Sequence, residues 1–84
     1  MNKEVLRSAS FGGYDKNDVI MTLDMLNTAK LSYEEGGLPL SELKRTANEV
    51  SEHKFKKVLT GGFNAKDVEK YFQSLCDNIQ NLTE

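Results

Sequence analysis

Cys76 and His53 are the only thiol and the only imidazole in the 84 residues, so they are the first candidates for chemistry. A catalytic cysteine needs a base close by that activates it. No sequence signature accompanies this pair, and one cysteine with one histidine forms neither a zinc site nor an internal disulfide. The GGY and GGF segments lack the length and the lysine of a phosphate-binding loop. We therefore expect no catalysis, no metal and no cofactor.

A basic cluster with one aromatic residue, Lys54, Phe55, Lys56 and Lys57, is a candidate for binding rather than catalysis. Such a cluster can contact anionic lipid headgroups. The alternative is a solvated basic face with one buried ring. The cluster is too short to indicate nucleic-acid binding in a chain of net charge −2, so nucleic acid is not an expected partner.

Phe11 is the second candidate for membrane contact. Attachment through one exposed aromatic side chain normally needs a basic signal as well, and Arg7, Lys3 and Lys16 supply part of one. The alternative is that Phe11 packs beneath the glycine turn that follows it. We favour this alternative because Gly12, and not a basic residue, stands next to Phe11.

One segment of the sequence occurs twice, and the structural unit that it forms must position the candidate residues named above. Residues 11–26 read FGGYDKNDVIMTLDML and residues 60–75 read TGGFNAKDVEKYFQSL, with five identities and three similar pairs at an offset of 49. A repeat at a fixed offset identifies the structural unit. The sequence predicts a single small domain, 1–84, built from two related copies over about 5–35 and 54–84.

Each copy carries the signals of a helix start. Asp15 and Asn64 are good N-caps, and Asp18 and Asp67 stand three residues later, where a reciprocal capping residue is found. The aromatic residue before each cap is placed to pack back on the first turn. Apolar periodicity then predicts amphipathic helices over about 16–35 and 65–83.

A third helix is predicted between the copies. A glycine pair ends the first helix, and Pro39 prevents its continuation. The residues over about 41–53 favour a helix, so the predicted fold class is mainly α. The segments before the two glycine pairs, EVLRSASF and HKFKKVLT, alternate weakly and would pair as a short two-stranded ribbon if both are extended.

The last helix carries an apolar seam with the spacing of a coiled coil. Two interpretations stay open, because two heptads do not separate a local core from a contact with a second copy. We expect a homodimer, since the seam is very apolar for a lone helix of a small monomer. The seam residues are Val68, Phe72, Leu75, Ile79 and Leu82.

The segment SFGGYDKNDVIMTLDML resembles the N-terminal domain of DivIVA-type proteins, a family of bacterial cell-division and polarity scaffolds. The resemblance implies a dimeric, coiled-coil protein that touches membranes through an exposed Phe-Arg tip. Gly12 stands at the arginine position, and the long downstream coiled coil is missing from the sequence, which indicates a fragment or a minimal relative. The matching residues are Phe11, Gly13, Tyr14, Asp15, Asp18, Val19 and Leu23, and in the second copy Gly62, Phe63, Asn64, Asp67, Val68 and Phe72.

The sequence therefore predicts a non-catalytic, self-associating interaction module, a DivIVA-like scaffold or adaptor linked to bacterial cell division or polarity. The alternative is a plain cytosolic protein-binding adaptor with no membrane or division role. No apolar run is long enough to span a bilayer, and the N-terminus lacks the apolar stretch of a signal peptide. We expect a cytoplasmic protein that contacts itself, an unidentified protein and, weakly, the anionic inner face of the membrane.

Overall fold

Three α-helices make up the regular structure: α1 (Lys16–Glu34), α2 (Leu40–Ser51) and α3 (Ala65–Gln80). The structure is a computed structural model that describes residues 6–83. Lys3 and the outermost ends of the two predicted repeat copies lie outside the described residues. The helices confirm the mainly α fold class, and each ends within a few residues of its predicted bounds.

Capping side chains set the beginnings of α1 and α3. Asp15 Oδ2 accepts a hydrogen bond from Asp18 N, and Asn64 Oδ1 accepts one from Asp67 N, both at 3.0 Å. Each bond satisfies one of the amides that the first turn leaves without a partner. α1 ends before Gly36, whose φ of +85° is the left-handed conformation that commonly closes a helix.

The core forms around α2, which begins directly after Pro39. α2 packs against both α1 and α3, whereas α1 and α3 make few direct contacts with each other. The buried residues of α2 recur at helical spacing and face apolar residues of both neighbours. They are Leu40, Leu43, Ala47 and Val50, and around them lie Val19 and Leu26 of α1 and Val68, Phe72, Cys76 and Ile79 of α3.

The apolar seam of α3 is filled within the chain. Val68, Phe72 and Ile79 are buried in the core, and Leu75 and Leu82 are half-buried against it. The reason is α2, whose own apolar stripe covers the seam. The surface expected to contact a second copy is thus taken up inside one chain, so a second copy that leaves the core intact must bind elsewhere.

The molecule is thin. It measures 43 × 26 × 17 Å along its principal axes, and one helix with its side chains is about 10–12 Å across. A fold this thin leaves one side of α1 and one side of α3 facing solvent.

Candidate functional site

Each glycine pair forms a loop with the residues on either side of it, and the loops of the two copies cross each other. We call residues 7–14 and 56–63 the crossed loops. Isolated antiparallel bridges join Ser8 to Phe63, and Tyr14 to both Lys57 and Phe63. No strand forms in the part of the chain that the structure describes. The expected ribbon is wrong in its pairing. Each described segment before a glycine pair bridges to the aromatic residue that follows the glycine pair of the other copy, and not to the other segment.

The crossed loops exchange backbone hydrogen bonds in pairs related by the repeat offset. Three bonds from the first copy to the second have a counterpart in the reverse direction. The pairs are Tyr14 N to Phe63 O (2.9 Å) with Phe63 N to Tyr14 O (2.8 Å), Asp15 N to Lys56 O with Asn64 N to Arg7 O (both 2.7 Å), and Ala9 N to Gly62 O (2.8 Å) with Val58 N to Gly13 O (3.1 Å). The repeats therefore form a pseudo-two-fold pair inside one chain.

Gly13 and Gly62 lie at the crossing point. A Cβ on Gly13 would come within 2.5 Å of Phe63 O, and a Cβ on Gly62 within 2.5 Å of Tyr14 O. Only glycine lets two backbones approach so closely. The second glycine of each pair is therefore required by the crossing of the loops.

Asp18 and Asp67 tie each helix to the opposite loop. Lys56 N donates to Asp18 Oδ2 at 2.8 Å, and Arg7 N donates to Asp67 Oδ2 at 3.2 Å. Arg7 adds Nε at 2.8 Å and Nη2 at 2.9 Å to the same carboxylate, while His53 Nε2 lies 3.0 Å from Asp18 Oδ1. The pKa of Asp18 is lowered mainly by the hydrogen bond from the backbone amide of Lys56. The pKa of Asp67 is lowered mainly by the hydrogen bond from the Arg7 side chain.

These bonds correct the expected role of the two acids as reciprocal caps. The backbone amides of Asp15 and Asn64 already donate to carbonyls of the opposite loop, so neither amide needs a bond from Asp18 or Asp67. Each carboxylate instead accepts from the opposite loop. The two helix starts are thereby held to each other.

The aromatic residues before the caps also reach across. Tyr14 Oη donates to Glu69 Oε2 at 2.6 Å, which raises the pKa of Tyr14. Lys16 Nζ lies 5.1 Å from the centroid of the Phe63 ring. Each aromatic residue of one copy therefore contacts the helix of the other copy, in addition to any packing on its own first turn.

Phe11 and Leu59 are the exposed apolar pair at the ends of the crossed loops, and we call them the tip. Phe11 is 86 % exposed and Leu59 is 90 % exposed. Gly12 N donates to Leu59 O at 2.6 Å, which fixes the two loop ends side by side. The interpretation that Phe11 packs beneath the glycine turn is wrong, because the backbone of the opposite loop lies against Gly13.

Leu59 was not among the candidate site residues, because the sequence pattern placed it only in the weakly alternating segment HKFKKVLT. Its position follows from the repeat: at the offset of 49, Leu59 is the counterpart of Ser10, the residue before Phe11. This correspondence with Ser10 was the feature of the sequence from which Leu59 could have been placed near Phe11.

Three lysines precede Leu59 of the tip in the sequence. Lys54, Lys56 and Lys57 are exposed, and Arg7 lies in the opposite loop. Residues 7–14 and 54–63 contain no aspartate or glutamate. The loops themselves therefore carry no acidic residue, while carboxylates of the helices contact them: Asp18 at Lys56, Asp67 at Arg7 and Glu69 at Tyr14.

Phe55 is held inside the fold and not at the tip. Its ring centroid lies 5.2 Å from those of Tyr14 and Phe72, and 4.8 Å from that of His53. Aromatic rings at these separations stabilise one another and the core around them. The basic cluster is thus an exposed basic face with one packed ring, and contact of its lysines with lipid stays a prediction.

A groove of about 700 Å³ lies beside these rings, and both Cys76 and His53 line it. Cys76 is only 5 % exposed, and its thiol donates to Ala47 O at 3.4 Å. Burial raises the pKa of this thiol, and the charge of Asp77 adds to the effect. With Nε2 of His53 facing Asp18, the geometry does not make the pair an activated nucleophile and base.

Within residues 6–83, no group of three or more His, Cys, Asp and Glu side chains is placed to hold a metal ion. Among the described residues, no helix combines the length and the apolar character needed to cross a bilayer.

Comparison with protein-family models, with curated proteins and with solved structures finds no match.

Proposed function

We propose that the protein is a non-catalytic, self-associating scaffold or adaptor module that attaches to the cytoplasmic face of an anionic membrane through the tip. The observation that carries the membrane contact is the pair Phe11 and Leu59, almost fully exposed in two loops that a backbone hydrogen bond holds together. These two apolar side chains, together with the exposed Lys54, Lys56 and Lys57, supply an apolar signal and a basic signal for membrane attachment.

The strength of this attachment follows from the size of each signal. Full burial of a leucine or phenylalanine side chain in an apolar phase is worth about 2 kcal/mol. Each lysine near an anionic surface adds about 1 kcal/mol, and salt screens this part. The sum describes weak and reversible attachment.

Binding to lipid vesicles tests the membrane contact. We expect the protein to sediment with vesicles that contain phosphatidylserine and not with vesicles of phosphatidylcholine alone, and we expect added salt to weaken this binding. Phe11→Ala and Leu59→Ala should each reduce the bound fraction several-fold. Asn78→Ala is the control, because Asn78 is exposed near the end of α3, away from the tip.

Charge at the tip provides a second test. Gly12 has a φ of +68°, and a Cβ there would lie no closer than 4.0 Å to Val58 O, so a side chain strains the backbone but does not clash. Gly12→Arg and Gly12→Gln carry the same strain and differ in charge. We expect Gly12→Arg to bind anionic vesicles more tightly than Gly12→Gln.

The cellular process is proposed from the resemblance to DivIVA-type proteins, whose motif includes Phe11, Gly13 and Tyr14. It links the module to bacterial cell division or polarity. The alternative is a cytosolic adaptor that binds protein partners only. If anionic vesicles do not bind the parent protein at low salt, the membrane contact is refuted and the adaptor function remains.

A further inference from the structure

The isolated bridges of the crossed loops place four short segments side by side. Tyr14 has bridges to Lys57 on one side and to Phe63 on the other, and Phe63 in turn bridges to Ser8 on its far side. At the offset of 49, Ser8 corresponds to Lys57, and these two residues hold the outermost positions. The order across the arrangement is 56–58, 13–15, 62–64 and 7–9.

Lys57 presents unpaired backbone groups on its outer side. Its bridge to Tyr14 is closed by bonds of the residues on either side of it, and bonded and non-bonded positions alternate along an antiparallel pair. The amide and the carbonyl of Lys57 therefore point away from Tyr14. None of the backbone hydrogen bonds between described residues outside the helices uses a group of Phe55 or Lys57. We call residues 55–57 the open edge. The two closing bonds are Val58 N to Gly13 O (3.1 Å) and Asp15 N to Lys56 O (2.7 Å).

The open edge forms one wall of the groove of about 700 Å³. Phe55 and Lys57 line the groove from the edge, and Glu69, Gln73 and Asp77 line it from α3. From Glu69 to Asp77 the α3 wall is about 12 Å long at a rise of 1.5 Å per residue. An extended chain rises about 3.4 Å per residue, so the groove has room for about four residues of an extended peptide.

We propose that the groove binds an extended peptide segment of a protein partner, which adds to the open edge through backbone hydrogen bonds. An unpaired extended edge beside a groove is the geometry of strand addition, in which backbone groups supply affinity and alternate side chains supply specificity. This inference rests on the protein-interaction role in the proposed function and names the partner, a segment with acidic residues at alternate positions.

The charges along the groove select this pattern. Lys54, Lys56 and Lys57 are exposed, and none of them forms an ion pair with another described residue. Opposite charges on neighbouring extended segments stabilise their pairing. The α3 wall carries Glu69 and Asp77, which disfavour an acid at every position. Acidic residues at every second position, with apolar residues between them, meet both conditions. The apolar residues that line the groove are Val50, Phe55, Phe72 and Cys76.

A second copy is disfavoured on the open edge. Pairing of two such edges would bring together Lys54, Lys56 and Lys57 of both copies, and like charges opposite each other destabilise paired segments. Lysine is a residue that commonly prevents edge-to-edge pairing in proteins. The self-association in the proposed function therefore uses another surface, and the open edge stays available to an acidic peptide.

Hydrogen exchange followed by NMR tests the open edge in the parent protein alone. The amide of Lys57 should exchange at close to the unprotected rate. The amide of Val58 donates to Gly13 O and should exchange at least about ten-fold more slowly. Equal protection of the two amides overturns the open edge. Protection of Lys57 that grows with protein concentration overturns the peptide as occupant, because a second copy then covers the edge.

A synthetic peptide of sequence EVELE, acetylated and amidated, is the probe for the groove. So short a segment buries far less than the about 800 Å² per partner of a stable interface, so we expect a dissociation constant on the order of 100 µM. Binding should slow the exchange of the Lys57 amide. The control peptide QVQLQ has nearly the same shape and no charge, and it should bind several-fold more weakly. Unchanged Phe55 and Lys57 amide signals at about 1 mM EVELE, ten times that constant, overturn the proposal.

Methylation of the peptide backbone tests the hydrogen bonds themselves. The amides of alternate residues in an extended chain point to the same edge. N-methylation of one alternate set in EVELE should therefore abolish binding, whereas N-methylation of the other set should keep it. Equal binding of the two methylated peptides overturns strand addition.

Two substitutions at residue 57 separate the amide from the charge. Lys57→Gln keeps the amide and should weaken the binding of EVELE about two- to five-fold. Lys57→Pro also removes the amide, which an edge position tolerates, and it should weaken binding at least about ten-fold. Circular dichroism checks that both variants fold, and the methylated peptides decide if Lys57→Pro does not. Equal binding by the two folded variants overturns the role of the amide.

The outcomes separate the open edge from the tip. The double variant Phe11→Ala with Leu59→Ala should lose vesicle binding and still bind EVELE as the parent does. A parent that binds anionic vesicles but not EVELE overturns the open edge alone. A parent that binds EVELE at Lys57 but no vesicles supports the open edge and refutes the membrane contact.

Discussion

Gly61 and Gly62 show at the residue scale that neighbouring glycines serve different purposes. Gly61 has a φ of +77°, and a Cβ there would meet nothing within 4 Å. Gly62 lies outside the left-handed region, yet its Cβ would stand 2.5 Å from Tyr14 O and 2.7 Å from Val58 Cγ2. The first glycine makes the turn and the second permits the crossing.

Alanine substitutions separate these two purposes. We expect Gly62→Ala to lower the free energy of unfolding by more than about 2 kcal/mol, because the crossed backbones must move apart. Gly61→Ala should cost about 1 kcal/mol, the strain of a non-glycine residue in the left-handed region. Urea unfolding followed by circular dichroism measures both. Equal losses would show that the crossing tolerates a side chain.

Asp18 and Asp67 predict how stability depends on pH. Bonds to Lys56 and Arg7 lower the pKa of both carboxyls in the folded chain. Their contribution to stability is therefore fully present above the unfolded pKa of about 3.9 and is lost as the pH falls through the lower folded pKa. We expect the free energy of unfolding to decrease below about pH 4.

The double variant Asp18→Asn with Asp67→Asn should flatten this dependence, because neither position can then lose a charge. Its free energy of unfolding, measured by urea titration from pH 6 to pH 2, should also be lower than that of the parent at pH 6. Asp77→Asn changes an exposed carboxylate on α3 and serves as the control. An unchanged acid dependence in the double variant would contradict the role given to the two carboxylates.

α2 holds the fold together at the scale of the elements. It packs against both other helices, which touch each other little, and Leu43 at its centre has no exposed surface. The sequence placed this helix correctly because Pro39 and the apolar spacing are local signals. It did not show that α2 covers the seam of α3, because that choice depends on packing between elements distant in the chain.

We expect Leu43→Ala to lower the free energy of unfolding by about 3 kcal/mol, since truncation of a buried leucine loses both burial and packing. All three helices should melt in one transition when followed by circular dichroism. Leu75→Ala removes the same atoms from a half-buried position of α3 and should cost less. A loss in Leu43→Ala no larger than in Leu75→Ala would contradict the central position of α2.

At the scale of the whole molecule, the repeat closes the chain on itself and leaves the tip exposed. The crossed loops of the two copies hydrogen-bond to each other, and α2 covers the apolar seam of α3. The helix starts were predictable because capping is local, with Asp15 and Asn64 as examples. The tip was only half predicted: Phe11 stood out by its type, whereas Leu59 needed the crossing of two loops about 50 residues apart.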